Sequence, residues 1–461
     1  MSARRLSELA AATGGALMGE DREFTRVTQD TRKLGRDELF VAIKGENFDG
    51  HDFLPQAEKL GAAGALVERK RSVALPQVVV KDARKALGAY AAAWRRRFQL
   101  PLIGVTGSSG KTTLKEMIAS ILKQRGATLA THGNMNNDIG MPLTLLELDA
   151  SDRYAVIEMG TNHPGEIEYL VRLAAPSVGV VTNAGPAHLE FLRDVAGVAR
   201  EKGAMFSCLA ADGTAVINAD DAYAPLWREM AGVRKVVTFG FGEHADFHPL
   251  PGVLEQAENG SWQFHLVSPI GEIDVNISLP GRHNVANALA AAAAAMSAGA
   301  GLDDVRTGLA QTPATAGRLI VIRGLNDCRL IDDTYNANPL SLTVAMEFAV
   351  SFGPRSWLVL GDMGELGDST VRLHAECGAR ARSLGIERLY ALGEQSRHAV
   401  EAFGSGARWF EDLNALLRAL RTDVGADITL LVKGSRSMRM ERVVEALRLQ
   451  PAVHRAANGD H

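Results

Sequence analysis

From position 102 to 220, short runs rich in valine and isoleucine (LIGV, YAVIEMG, VGVVTNAG, TAVINAD) each pass into sequence with helical spacing. Parallel strands need such crossovers, and helices on both faces bury the strands, so they read as unbroken apolar runs. The alternation therefore predicts an open parallel sheet in an α/β fold. It breaks over 241–279, where WQFHLVS and EIDVNISL alternate at period two and predict an antiparallel excursion; LPGRHNVANALAAAAAAMSAG then predicts a long helix.

The same rhythm occurs on either side. ELFVAIKG, AGALVER and PQVVVKD alternate with DFLPQAEKLGA and ARKALGAYAAAWRRRF, while RLIVIRG, CRLIDDTY, SWLVLGDMGELG, ERLYALGE and ITLLVKGS follow Gly317. A chain of 461 residues exceeds one ordinary core, and about 150 residues per domain suggests three. The expected division is a smaller N-terminal α/β domain over 1–99, a central parallel-sheet domain over 100–315, and a C-terminal Rossmann-like domain over 316–461. The last contains no G-x-G-x-x-G, so no dinucleotide cofactor is indicated. HRAANGDH at the end reads as disordered.

Charge and cysteine usage exclude several classes. A formal net charge of -4 provides no electrostatic footprint for nucleic acid. Cys208, Cys328 and Cys377 are too scattered for a disulfide framework or a C-x-x-C metal site, which predicts a reduced, cytoplasmic setting. In MSARRLSELAAATGGAL, Glu8 interrupts any apolar core of a signal peptide, and the stretch reads as an amphipathic helix. The apolar ALAAAAAAMSAGAG falls short of the roughly 20 residues a membrane helix needs, so no integral membrane segment is expected. The run Arg95, Arg96, Arg97 reads as a solvated helix end, with a phosphate patch as the alternative.

The most informative local motif is GVTGSSGKTTLKEM. Leu102 to Val105 read as a buried strand, and Leu114, Met117, Ile118, Ile121 and Leu122 lie on one helical face, so the glycines stand at a strand-to-helix turn. There small residues let backbone amides approach phosphate, Lys111 supplies a point charge and Thr112 a hydroxyl for magnesium. Val105 occupies the first glycine position of G-x-x-x-x-G-K-[ST], which leaves Gly107, Ser108, Ser109, Gly110, Lys111, Thr112 and Thr113 as the candidate loop. The alternative is a glycine turn with an incidental lysine.

Glu158 ends the run YAVIE, so its carboxylate is expected at the carboxyl edge of the same sheet, where it can hold magnesium or remain a satisfied surface glutamate. His188 follows the next strand and is a candidate for that face. Lys202 lies on a predicted helix. Asn134, Asn136 and Asn137 form either a substrate-contact loop or a set of turn and cap residues. Asn284 and Asn287 fall near a helix start, where asparagine caps, although an amide also suits the adenine edge.

Taken together, GVTGSSGKTTLKEM, GNMNNDIGMPLTLL, VIEMGTNHPGEI, AHLEFL, LPGRHNVANALAA, IDDTYNANP, LGDMGELG and LVKGSRSMRMERVV closely resemble the Mur ligases, in this order and over nearly the whole chain. GNMNNDIG, GTNHPGEI and DDTYNANP carry the resemblance most specifically. It implies three domains, for the UDP end of a substrate, for ATP, and for closure over the site. It also implies the reaction of ATP, UDP-N-acetylmuramoyl-tripeptide and D-alanyl-D-alanine to the pentapeptide, ADP and phosphate, with Mg2+ required and a monomer expected.

By the same resemblance, Lys111 neutralises phosphate, Thr112 and Glu158 hold one magnesium ion, and His188 helps hold a second. Asn287 would contact adenine, Asp333 the ribose and Arg318 the phosphates. Thr31 and Arg32 would sit near the uridine diphosphate, and Asn134, Asn136, Asn137 and His163 near the muramoyl peptide. Asn336, Asn338, Lys433 and Arg436 would lie toward D-alanyl-D-alanine. In relatives the lysine matching Lys202 can carry a carbamate able to bind magnesium; an unmodified lysine contacting phosphate or a carboxylate is the alternative. Phe191 departs from the many relatives with glycine nearby. The rivals are another ligase of this superfamily, against which DDTYNANP with GTNHPGEI argues, and a nucleotide-binding regulatory module without ligase activity, against which Lys111, Glu158 and His188 argue.

Overall fold

The computed structural model describes residues 3–45, 47–257 and 260–449. The expected α/β class holds, with three sheets of mainly parallel strands. The tail HRAANGDH lies outside the described residues.

The central sheet has six strands, all parallel, in the spatial order Lys235–Phe239, Thr214–Asn218, Val178–Val181, Leu102–Thr106, Tyr154–Glu158 and Thr128–Ala130. Leu102–Thr106 is first in sequence yet lies in the middle. From it the chain proceeds to one edge, then returns past it to build the other side. Neighbouring strands that continue in opposite directions leave a crevice at their carboxyl ends, which is where such sheets bind ligands. In register, Val181 faces Thr106 and Glu158 faces Val105, which brings three strand ends to this crevice.

Before this sheet, five shorter strands form a smaller one in the order Ala16–Met18, Gln77–Val79, Gly64–Val67, Leu39–Val41 and Val27–Thr28. One hydrophobic core joins the two sheets: Leu87, Tyr90, Ala91 and Trp94 of the helix Ala83–Arg95 share it with Met141, Leu145, Ile167 and Leu170. Polar anchors reinforce the seam. Trp94 Nε1 donates to the Leu148 carbonyl over 3.1 Å. Arg95, expected at a solvated helix end, is instead buried and donates to the carbonyls of Ala174, Phe98 and Leu100 at 3.0, 2.6 and 3.2 Å. The carbonyls of Ala174, at the end of the helix Glu166–Ala174, and of Phe98 and Leu100 draw its guanidinium inward, where planar donors satisfy several acceptors at once.

The excursion after residue 241 is antiparallel as expected, with Trp262–Ser268 paired to Gly271–Ile277. The helix Arg282–Ser297 begins earlier than the asparagine-cap reading requires, so Asn284 and Asn287 lie inside it.

The chain divides into two compact units. The first comprises the chain up to Ala184 with Ala196–Ser278 and Asn284–Thr312; the second gathers Gly185–Val195, Leu279–His283 and the chain from Pro313 onward. The second unit contains a six-stranded sheet in the order Ile320–Arg323, Arg329–Asp333, Thr429–Lys433, Ser356–Gly361, Arg388–Leu392 and Ala407–Phe410, parallel except for the first strand.

Candidate active site

In the first unit, the glycine turn forms a clamped loop. Gly107 and Gly110 have φ of +144° and +83°, conformations that side chains disfavour. Space is also closed to a side chain there: a Cβ on Gly107 would lie 1.8 Å from Thr182 Oγ1, and one on Gly110 2.8 Å from Asn287 Oδ1. Thr182 Oγ1 and Asn183 Nδ2 donate to the Ser109 carbonyl at 2.6 and 3.2 Å. The amides of Ser108 and Ser109 donate to the carbonyl and Oδ1 of Asn183 at 3.0 and 3.1 Å. Thus the strand end after Val178–Val181 fixes the loop after Leu102–Thr106. Lys111 Nζ folds back to the Gly107 carbonyl at 2.8 Å. Thr112 is buried and Thr113 half-buried in the first turn of the helix Lys111–Lys123.

Glu158 is 2% exposed, so the reading of a surface glutamate fails. Its Oε1 accepts from Asn136 Nδ2 over 2.7 Å, while Oε2 is buried with no hydrogen-bond partner among the described residues. An orphaned, buried carboxylate oxygen is costly unless a cation completes it. Hard oxygen donors of this kind suit Mg2+, so the residues fit that ion. No group of three or more His, Cys, Asp or Glu side chains able to hold a metal stands together among the described residues.

Lys202 is fully buried on the helix Val195–Ser207. Burial first, then the charge of Lys111, push its amine well below the usual lysine range, against the opposing pull of Glu201. Glu201 accepts from the amides of Gly165 and Ile167 at 2.7 and 2.8 Å, holding the loop that carries His163. His163 itself is exposed, with Nδ1 3.2 Å from Glu166 Oε1.

The asparagine loop divides its labour. Asn134 is exposed and Asn136 turns inward to Glu158, whereas Asn137 Oδ1 accepts from the amides of Ile139 and Gly140 at 3.3 and 2.8 Å, where the helix Gly140–Leu145 begins. Asn287 is buried, its Nδ2 donating to Asn284 Oδ1 over 3.0 Å. In the turn after the strand Val27–Thr28, Thr31 Oγ1 donates to Gln56 Oε1 over 3.3 Å, and exposed Arg32 pairs with Asp30 at 2.8 Å.

The second unit brings a different set together. Asp333 and Lys433, which the resemblance sends to different ligands, form a buried pair 2.5 Å apart, and Lys433 Nζ also donates to the Asn336 carbonyl at 2.9 Å. Burial lowers the Lys433 amine, and Asp333 opposes that shift. Arg318 stacks over the Tyr335 ring at 4.3 Å, and its Nε has no hydrogen-bond partner among the described residues. His283 Nδ1 is likewise buried without one; burial holds this imidazole down at about 4. Asn338 Oδ1 accepts from Ser341 N at 2.8 Å as a helix cap, and Arg436 pairs with Glu441 at 3.1 Å. His188, at φ +55°, has Nδ1 2.5 Å from Oε2 of Glu365, itself at φ +62°.

Sequence reasoning missed Thr182, Asn183, Glu201, His283 and Glu365. Thr182 and Asn183 carried a signal: polar residues directly after a buried strand adjacent to the phosphate-loop strand stand at the same carboxyl edge. The others act through contacts distant in sequence.

A glycine loop and basic side chain at the switch point of a parallel sheet define a phosphate-loop nucleotide-binding α/β protein. Family models agree on a narrower class: the Mur ligase family catalytic domain matches 23–99, the Mur ligase middle domain 105–295, and the Mur ligase glutamate ligase domain 317–436. The chain belongs to the Mur ligase family. It is 45% identical to the UDP-N-acetylmuramoyl-tripeptide--D-alanyl-D-alanine ligase of Escherichia coli over 96% of this chain and 98% of that protein. A crystal structure of MurF from Acinetobacter baumannii superposes with a TM-score of 0.90 at 35% identity, covering 96% and 98% of the two chains. MurF ligase from Thermotoga maritima in complex with ADP gives 0.80 at 28% identity, covering 91% and 96%.

Proposed function

We propose that this protein is the ATP-dependent ligase that joins D-alanyl-D-alanine to UDP-N-acetylmuramoyl-tripeptide, giving the pentapeptide, ADP and phosphate for peptidoglycan precursor synthesis. The observation that carries the choice of substrates is the 45% identity, over 96% of the chain, to a ligase of that name. The clamped phosphate loop beside a buried acidic strand end supports the chemistry.

A carboxylate is a poor electrophile. The terminal carboxylate of the tripeptide therefore attacks the γ-phosphorus of ATP, ADP departs, and an acyl phosphate remains. The amine of D-alanyl-D-alanine attacks the acyl carbon, loses a proton, and the tetrahedral intermediate expels phosphate. Catalysis of this kind is largely positioning and charge neutralisation, because two anions must be held together.

In this reading the amides of residues 107–113 and Lys111 cradle the phosphates. Thr112 and Glu158 would hold one Mg2+, and His188 and a carbamylated Lys202 are each proposed as ligands of a second; when bound, the ions would supply charge neutralisation for the carboxylate and phosphate. Asn287 serves adenine, Asp333 the ribose and Arg318 the phosphates. Thr31 and Arg32 serve the uridine diphosphate, while Asn134, Asn136, Asn137 and His163 serve the muramoyl peptide. Asn336, Asn338, Lys433 and Arg436 serve the dipeptide, with the existing Lys433 to Asp333 pair favouring a positioning part for this lysine. The domains proposed are 1–99 for the UDP end, 100–315 for ATP and 316–461 for closure. Among the described residues no helix is long and apolar enough to cross a membrane; a cytoplasmic monomer is proposed.

The test is purified protein with ATP, Mg2+, D-alanyl-D-alanine and UDP-tripeptides ending in lysine or diaminopimelate. ADP release together with a mass gain equal to the dipeptide is expected for at least one tripeptide. Absence of both products with either tripeptide overturns the reading.

A further inference from the structure

Lys115 is a buried cation with no part in the proposed chemistry. It lies one turn after Lys111 on the helix Lys111–Lys123 and is 1% exposed. Packing alone would be served by an apolar residue such as its neighbours Leu114 and Ile118, whereas a buried ammonium needs partners. Its Nζ donates to the Thr131 carbonyl over 2.6 Å and lies 2.6 Å from Glu116 Oε1.

Thr131 follows the edge strand Thr128–Ala130 and is held from two further sides. Its amide donates to the Val156 carbonyl over 3.1 Å, and its hydroxyl accepts from the Glu158 amide over 2.9 Å. Directly beyond it runs the asparagine loop, which returns to the same strand end: Asn136 Nδ2 donates to Glu158 Oε1, and the Gly160 amide donates to the Asn136 carbonyl over 2.8 Å. Lys115 is thus the side-chain link between the helix that begins at the phosphate loop and the base of the loop that holds Glu158.

We propose that Lys115 is a positioning residue for ligation, which sets the Glu158 backbone and the asparagine loop relative to the phosphate loop through Thr131. It acts through the backbone and touches no substrate. A methionine fills similar volume but leaves the Thr131 carbonyl without a buried donor; arginine retains a donor.

The inference rests on the ligase reading in its kinetic arm only, so two measurements are paired. Hydrogen exchange on the substrate-free protein is expected to quicken about tenfold at the amides of residues 131–137 and Glu158 in Lys115→Met, as loss of one hydrogen bond implies. Steady-state kinetics are expected to show kcat reduced roughly 10- to 100-fold with KM for ATP changed less than about threefold, and partial recovery in Lys115→Arg. Thr131→Val removes the hydroxyl that receives the Glu158 amide and should act similarly, the double variant being no worse than the poorer single one. If Lys115→Met fails to fold, Lys115→Arg and Thr131→Val carry the same comparison. Unchanged exchange, or lower thermal stability with kcat retained, overturns the positioning role. Quickened exchange in a protein whose wild type releases no ADP in response to the dipeptide sinks the ligase reading and leaves the link intact.

Discussion

Asn136 donates from its side-chain amide to Oε1 of Glu158 over 2.7 Å, which leaves Oε2 as the buried oxygen without a hydrogen-bond partner among the described residues. The asparagine therefore orients the carboxylate and selects which oxygen is free for a cation, as outer partners of metal ligands do. Asn136→Ala is expected to lower kcat/KM roughly 10- to 100-fold, the range of one hydrogen bond to a charged group, and to raise the Mg2+ concentration needed for half-maximal rate. Unchanged magnesium dependence in a folded variant would contradict this role.

Gly107→Ala should be more damaging than its single methyl suggests. The φ of +144° is strained for alanine, and the new carbon would sit 1.8 Å from Thr182 Oγ1. The loop must move off the Thr182 to Ser109 bond to make room, at a cost of roughly 2 kcal/mol or more. A raised KM for ATP with a lowered unfolding midpoint is expected, and Thr182→Ala, which vacates the space, should recover part of the stability loss. Full stability in Gly107→Ala alone would refute the steric account.

His283 predicts acid sensitivity in a defined window. Its imidazole is held down at about 4, with burial as the largest cause, against an ordinary value of 6.5. The unfolded chain then binds the proton more readily than the folded one, so stability falls as pH drops through 6.5 and the loss is complete near 4. The residue as a whole is only half-buried, so about 3 kcal/mol is an upper bound for this contribution. Denaturant unfolding of wild type and His283→Asn at pH 7 and 4.5 checks it: the variant should lose less stability on acidification. Parallel losses would remove His283 as the cause.

The strands Tyr154–Glu158, Val178–Val181 and Thr429–Lys433 were legible because each is buried along its length. Thr128–Ala130, Lys235–Phe239 and Ala407–Phe410 were not, since they lie at sheet edges and are half-buried or mix exposed with buried positions instead of being buried along their length. At the site, the strand-to-helix turn that carries Gly107, Gly110 and Lys111 was legible because it is local in sequence. The clamp from Thr182 and Asn183, the inward turn of Arg95 and the pairing of Asp333 with Lys433 across 100 positions are tertiary. Each depends on which strand ends become neighbours, and a single sequence does not record that. Asn137 and Asn338 sit in recognisable motifs, and each side chain accepts from a first-turn amide of a helix, Gly140 N and Ser341 N.

Lys202 carries the most demanding prediction. Once the ammonium has given up one proton, adding carbon dioxide to the neutral amine forms an N–C bond and releases a second proton, so that a cation becomes an anion with oxygen donors suited to magnesium. The step needs a neutral amine, and full burial beside the charge of Lys111 favours that form. Incubation with 13C-labelled bicarbonate is expected to give a carbamate carbon resonance in wild type that is missing from Lys202→Ala. Loss of a magnesium-binding group should lower the rate of that variant on the order of 100-fold, and short-chain carboxylic acids, able to occupy the vacated space, should restore part of it. An unmodified lysine contacting phosphate predicts the opposite pattern, with no labelled carbon and no rescue by acids. Full activity in unrescued Lys202→Ala would remove the residue from catalysis altogether.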